Sequence, residues 1–278
     1  MTMWATEVLA DFILALRPGD VPAPAREMAK RCILDLVGAA AAGFDTPPAR
    51  AMRHACTGIF SSGSSGVWFT DSRLGCAPAA AINAAAASAL DIDDGQRTAG
   101  GHPGASIVPA ALAAAEETGA DAEELLAAIA VGYEVGIRVA AARDFAALDT
   151  CSTGRWCSYG AAAAGAFLRR LPAKKLAEAL AIAGVQSPGL SASGYSAVMG
   201  NHVKEGIPWS TLTGLVALDL AELGFTGPTD ILDHPSYFDR NAILANLGER
   251  YAIERVYFKP YSCCRWIHSA LDALLGLM

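Results

Sequence analysis

The stretch 90–106 reads Leu-Asp-Ile-Asp-Asp-Gly-Gln-Arg-Thr-Ala-Gly-Gly-His-Pro-Gly-Ala-Ser. It sets Asp91, Asp93, Asp94, Arg97 and His102 in a glycine-broken segment between two alanine-rich runs, 77–90 and 105–117. A chain poor in charge has few reasons to gather ionisable groups beside its own core. Carboxylates held next to an imidazole in low dielectric have shifted pKa values, and such places are candidate active sites. The chemistry implied is proton transfer, with His102 as general acid or base and Asp91 orienting or tuning it. Asp93 and Asp94 have less definite roles, and one of them is expected in solvent. Two readings compete. In a solvated loop Asp and Gly merely make turns, but against this stands the helix start right after His102-Pro103-Gly104. A calcium loop needs a Glu at its twelfth position, which here holds His102. No metal site is expected.

Three further glycine-rich loops repeat these residue types. One is Cys151-Ser152-Thr153-Gly154-Arg155-Trp156, which ends at a helix start; a second carries Asn201, His202 and Lys204 before Gly206. The third runs from Phe258-Lys259-Pro260-Tyr261 to His268. Helix N-termini with lysine or arginine heads suit an anionic substrate. Lysine is scarce, at five residues, so the glycine, proline and aromatic neighbours of Lys204 and Lys259 point to carboxylate binding, or to a base if either is desolvated. Arg155 is a candidate carboxylate clamp. Tyr159 and Tyr133 read as core residues with satisfied hydroxyls, though Tyr159 and Asp94 also join the substrate-side candidates. His54, His202 and His234 are unassigned.

Elements able to position these groups are mostly helical. Apolar residues at helical spacing predict helices over 4–16, 24–42 and 48–56, over 77–90 and 106–118, and from 121 to about 143. Asp121 with Glu124 makes a capping-box start. Gly132 and Gly136 lie one turn apart and mark a close helix contact. Glu134 and Arg138 read as a surface i,i+4 pair. More helices follow at 156–168, 174–183, 207–223, 241–247 and 264–278. Residues 58–73 are Gly/Ser-rich, a loop with one short strand around Val67-Trp68-Phe69, and 187–206 is again loop-like. The run 251–259 alternates β-branched and aromatic residues and predicts a strand. The expected fold is all-α: a large helical bundle over 1–250, with 251–278 beginning a small α+β lid.

Composition narrows the functional classes. The 278 residues carry a net charge of −7 and no basic run longer than two residues, which argues against nucleic acid. Apolar runs are alanine-rich and broken by polar residues, too weak for a membrane span of about 20 strongly apolar residues. The N-terminus lacks a signal-peptide pattern, so a cytoplasmic location is expected. Seven scattered cysteines form no CxxC pair, which favours neither zinc nor a disulfide framework; Cys32 and Cys56 read as core fillers. Cys263-Cys264 has no base or metal spacing that would make it a nucleophile.

Taken in order, these pieces resemble the MmgE/PrpD family. The carriers are Ile33-Leu34-Asp35-Leu36-Val37-Gly38, Leu90-Asp91-Ile92-Asp93-Asp94 and His102-Pro103-Gly104. Gly132-Tyr133-Glu134-Val135 with Arg138, Tyr159-Gly160-Ala161-Ala162-Ala163 and Val203-Lys204-Glu205-Gly206 follow. Gly224-Phe225-Thr226-Gly227-Pro228 and Phe258-Lys259-Pro260-Tyr261 complete the set. The resemblance implies a helical domain with an α+β lid, a homodimer, and a site between the domains. It also implies a lyase or epimerase that acts on small di- or tricarboxylates without metal or organic cofactor. Asp91 and His102 match the family's acidic and imidazole positions, Lys204 and Lys259 its two lysines, and His268 the histidine after the second lysine. Cys151 stands where many members have a histidine, and no histidine follows Lys204 shortly as it does in many. Most of the lid is missing, which implies a fragment or a completing partner. The expected function is therefore a cofactor-independent lyase or isomerase that moves a proton at the carbon α to a carboxylate. The alternatives are an epimerase of an amino- or imino-dicarboxylate, and a non-catalytic helical dimerisation scaffold without its lid.

Overall fold

The computed structural model describes residues 3–189 and 201–278. Its described part is all-α: eleven α-helices and a single two-residue antiparallel hairpin. The helices are α1 (Ala5–Ala15), α2 (Ala23–Gly43), α3 (Pro47–Ile59), α4 (Cys76–Ser88), α5 (Gly104–Thr118) and α6 (Ala122–Ala141). After them come α7 (Cys157–Arg169), α8 (Ala173–Val185), α9 (Ile207–Glu222), α10 (Arg240–Leu244) and α11 (His268–Leu277). No helix among the described residues is long and apolar enough to cross a membrane.

Alanine content decides the architecture. Every residue of α4 is buried, and α4 packs against α2, α3, α5 and α9. Methyl side chains let neighbouring backbones approach closely, and interior density then comes from many short contacts rather than a few large side chains. Helix α7 packs in the same way on α5, α6 and α9. The α6–α7 contact is built on glycine: a Cβ on Gly132 would lie 2.6 Å from Ile107 Cγ2 and 2.9 Å from the Gly160 carbonyl oxygen. Gly136 faces the Gly160 backbone on the same stripe, which is the close contact their spacing implied. The expected capping box is present: Asp121 Oδ1 accepts from the Glu123 and Glu124 amides at 2.9 Å, and the Asp121 amide donates to Glu124 Oε2. Cys32 and Cys56 are buried, as core fillers should be.

Three expectations are corrected. The strand predicted at Val67-Trp68-Phe69 is replaced by β1 (Ser65–Gly66) paired with β2 (Arg73–Leu74), one turn to either side. Residues 251–259 are not a strand. Ala252–Arg255 forms a 3-10 turn, and Tyr257 makes one isolated antiparallel bridge to Gly95, with both N–H···O distances 2.9 Å. β propensity measures fit to a pleated, half-buried surface, and only a single bridge partner is offered here. Tyr251, Ile253 and Lys259 are instead buried against the helical body. Glu134 and Arg138 are not a surface pair. Glu134 is fully buried, its Oε1 lies 2.6 Å from Arg138 Nε, and its Oε2 accepts the Ala252 amide. Arg138 also donates to the carbonyls of Ile243, Ala245 and Asn246. The pair thus pins the 243–252 chain onto α6. Part of the loop expected at 187–206 lies outside the described residues.

Candidate active site

Four loops meet at the N-terminal end of α5. Tyr257 bridges Gly95, and Ser262 Oγ donates to the Leu90 carbonyl, so the last loop is tied to the first. The Gly154 amide donates to the Glu205 carbonyl at 2.8 Å, and the Thr153 amide to Glu205 Oε2 at 2.9 Å, so the middle two are tied together. Thr153 Oγ1 accepts the His102 amide at 3.1 Å and joins the pairs. Asp91 and Glu205 sit at φ 54° and 50°, in the left-handed region that side-chain-bearing residues seldom adopt. Such backbone outliers persist where surrounding contacts over-determine them.

One oxygen is the hub. Asp91 Oδ1 accepts from Lys259 Nζ at 2.7 Å and from Lys204 Nζ at 3.0 Å, and it lies 3.4 Å from His102 Nε2. Glu205 Oε1 stands 3.6 Å from Lys204 Nζ and 3.8 Å from His102 Nε2. Burial alone would raise the carboxyl pKa values of Asp91 and Glu205, but the neighbouring cations outweigh it and hold both low. Lys204 loses water too, yet Glu205, Asp93 and Asp91 raise its pKa above the ordinary lysine value. It is therefore an ammonium in this state and not a neutral base.

The other imidazole nitrogen faces the protein interior. His102 Nδ1 is 2.9 Å from the Asp94 carbonyl oxygen. A carbonyl only accepts, so Nδ1 carries the proton and Nε2 is the nitrogen left free for chemistry when the ring is neutral. Behind Nδ1, Asp93 Oδ2 lies at 3.4 Å, and Asp93 is fully buried with no hydrogen-bond partner for either carboxylate oxygen among the described residues. Burial opposes charging His102, but Asp93 and then Glu205 more than offset it, and the imidazole pKa is raised. The residue that tunes His102 from behind is thus Asp93, while Asp91 sits on the reactive side.

A second tier of acids lies deeper. Asp94 Oδ1 accepts the Gly104 amide at 2.9 Å, capping α5, and its Oδ2 accepts the Tyr133 hydroxyl at 2.7 Å. A Cβ on Gly104 would be 2.6 Å from Asp94 Oδ1, so the motif's glycine is required by close approach. Burial pushes the Asp94 pKa to about 7, and burial together with Asp93 pushes that of Asp35 to about 6. Asp93 and Asp94 are both inaccessible to solvent, which corrects the expectation that one would be hydrated. A rigid scaffold that shelters backbone polar groups leaves no room for a solvated turn here.

The remaining candidates fall elsewhere. Arg155 is exposed and donates to the Gly189 carbonyl at 2.7 Å. With buried Tyr159 it lines a cavity of about 460 Å³, different from the cavity of about 310 Å³ that opens beside Lys204. His268 Nε2 donates to the Cys263 carbonyl at 3.2 Å, and its ring meets Tyr261 edge-on. Asp91, Asp93 and His102 offer ligand atoms within 4.8 Å of one another, which is cation-binding spacing. Two ammonium groups on the Asp91 oxygen oppose a divalent cation at that point. Sequence reasoning missed Glu205 and Thr153. The only available signal was their place beside Lys204 and in a glycine-broken loop.

The sequence matches the MmgE/PrpD N-terminal domain over residues 7–243. It is 27% identical to the cis-aconitate decarboxylase-like protein oryM of Aspergillus oryzae, over 97% of this chain and 60% of that protein. It is also 27% identical to the cis-aconitate decarboxylase of Aspergillus terreus, over 99% of this chain and 58% of that one. The chain therefore spans about three fifths of the length of the curated relatives it matches. With a domain match over most of its length, this chain belongs to the MmgE/PrpD family.

Proposed function

We propose that the chain carries the proton-transfer half-site of a cofactor-independent lyase or isomerase that acts on a small di- or tricarboxylate. The observation that carries this reading is the convergence of Lys204, Lys259 and His102 Nε2 on one carboxylate oxygen, Asp91 Oδ1. Two ammoniums already hold an anion within reach of a free imidazole nitrogen. The names of the decarboxylase relatives support the lyase class.

Neutral His102, with its Nδ1 proton held by the Asp94 carbonyl, accepts a proton at Nε2 from the substrate carbon α to a carboxylate. The C–H electron pair moves into that carboxylate, and the enediolate-like charge is met by Lys204 and Lys259. Asp93 stabilises the imidazolium that forms. The pair then returns to carbon, either by expelling a β-substituent or by taking a proton back. Run in reverse, the imidazolium protonates the carbanion that a departing carbon dioxide leaves. Asp91 keeps the two ammoniums assembled until the substrate carboxylate shares them, and the cavity beside Lys204, walled by Met52, Ala85, Ser88 and Trp209, receives the rest of the molecule.

Thermal denaturation with a polycarboxylate panel that includes cis-aconitate and citrate tests the binding half of this reading. A ligand that binds only the folded chain raises Tm. Stabilisation of the wild type that disappears in Lys204→Ala supports it; a panel that stabilises neither protein overturns it.

A further inference from the structure

The proton-transfer reading leaves Glu205 without a task, yet its carboxylate is fixed from several sides. The backbone sits at φ 50°, and the carbonyl accepts the Gly154 amide at 2.8 Å. Oε2 accepts the amide of buried Thr153 at 2.9 Å and its hydroxyl as well. Thr153 Oγ1 in turn accepts the His102 amide at 3.1 Å. One chain of hydrogen bonds therefore sets the Glu205 carboxylate relative to His102. Oε1 is left with no hydrogen bond among the described residues. It is not sealed in, because the side chain keeps 29% of its surface exposed.

That free oxygen lies 3.8 Å from His102 Nε2 and 3.6 Å from Lys204 Nζ. Asp91 Oδ1, the other carboxylate oxygen near Nε2, is already taken by two ammoniums. Two polar atoms 3.8 Å apart can both reach a third at an ordinary hydrogen-bond length of about 2.8 Å. The place between Nε2 and Oε1 thus fits one polar atom of a ligand, and the neighbours decide which. Burial works against the charge of Glu205, but Lys204 and His102 hold its pKa low, so it is an anion and repels a ligand carboxylate. A ligand ammonium would stand beside the Lys204 ammonium and against an imidazole that turns cationic in the reaction. A hydroxyl meets neither objection. It donates to Oε1 and keeps lone pairs for a proton on Nε2.

We propose that Glu205 is a specificity-determining residue that selects acids with a hydroxyl on the carbon next to the one that loses its proton. The inference rests on the proton-transfer reading and narrows its substrate class. The substrate carboxylate lies on Lys204 and Lys259, the α carbon at Nε2, and the β-hydroxyl between Nε2 and Glu205 Oε1. Nε2 takes the α proton, and the C–H electron pair becomes the second bond between the α and β carbons. The C–O pair leaves with the oxygen, which takes the Nε2 proton and departs as water. Glu205 neither gives nor takes a proton. It holds the O–H to one side, so that a lone pair of the leaving oxygen faces Nε2.

Isothermal titration of the purified chain with two ligand pairs tests the proposal: citrate against tricarballylate, and malate against succinate. The members of each pair differ only by a hydroxyl in place of a hydrogen. A hydrogen bond to a charged group corresponds to about tenfold or more in affinity. The wild type should bind the hydroxy member of a pair at least tenfold more tightly than its partner. Glu205→Ala should bring the ratio to about one by weakening the hydroxy member alone, which a loss of fold would not do. Glu205→Gln, of the same size without the charge, should lower the ratio severalfold and decides the matter if Glu205→Ala fails to fold. Equal affinities within a pair on the wild type, or a ratio that survives these variants, overturns the proposal and leaves polycarboxylate binding standing. Binding of none of the four ligands overturns the proton-transfer reading and this proposal with it.

Discussion

Asp93 Oδ2 stands 3.4 Å from His102 Nδ1, sealed from solvent and without another partner among the described residues. The pair makes His102 harder to deprotonate than a free imidazole. The sign follows from linkage: a histidine whose folded pKa is raised gives stability that is complete below the ordinary value of 6.5 and is lost as pH rises through the folded value. As a base, His102 is competent only above that raised value. Asp93→Asn removes the charge and keeps the shape. The His102 ring titration, followed by NMR, should move to lower pH, and the acid limb of the kcat/KM profile should move with it. An unmoved titration would show that Asp93 is only structural.

The two lysines that share Asp91 Oδ1 should be separable from the proton-transfer step. Hydrogen bonds to charged groups are worth about 1.5–3 kcal/mol, or roughly ten- to a hundredfold in affinity. Lys259→Ala and Lys204→Ala should each raise the Kd for a polycarboxylate by at least tenfold, while His102→Gln leaves Kd near the wild-type value. Calorimetry on the three variants checks this. A His102→Gln loss as large as the lysine losses would contradict the division of roles.

Asp94 makes a prediction about stability. Its carboxyl is held at about 7 against an ordinary 3.8 by burial, so the folded chain keeps a proton that the unfolded chain releases. Stability from this group is present below 3.8 and declines as pH rises through about 7. The shift of roughly three units corresponds to at most about 4 kcal/mol. Asp94→Asn removes that penalty and can still accept the Gly104 amide. Its Tm should exceed that of wild type by a few degrees at pH 8 and equal it at pH 4. A Tm difference independent of pH would count against a protonated Asp94.

Glu134 tests a different link. Removing one partner of a buried ion pair costs about 3–5 kcal/mol, because the other charge stays buried. Glu134→Ala should lower stability by roughly that amount in denaturant melts. It should also speed proteolysis near 243–252, since Arg138 holds three carbonyls there. A loss under 1 kcal/mol would mean that the pair is hydrated.

Much of this was legible in the residues because helices announce themselves locally. The period of 3.6, the Asp121 capping box and the Gly132–Gly136 stripe each mark one element and need no knowledge of the rest. His102, Asp91, Lys204 and Lys259 stood out because a lysine-poor, alanine-rich chain places them in glycine-broken loops. What was not legible depends on distant chain. Glu134 is buried because carbonyls more than a hundred positions away cover its partner Arg138. The strand pattern at 251–259 failed because Tyr257 meets only Gly95. Asp93 rather than Asp91 backs His102, and the positive φ at Asp91 that accompanies this has no mark in sequence. Arg155 and Tyr159 match the site by residue type, but the fold places them on another cavity.

Solvent exchange tests the central claim most directly. The wild-type chain is incubated in D2O with di- and tricarboxylates, and deuterium at the carbon α to a carboxylate is followed by NMR. The account predicts incorporation into at least one member of the panel, abolished in His102→Gln while that variant still binds the same ligand. Incorporation at the wild-type rate in His102→Gln, or none in the wild type with a ligand that binds, would contradict it.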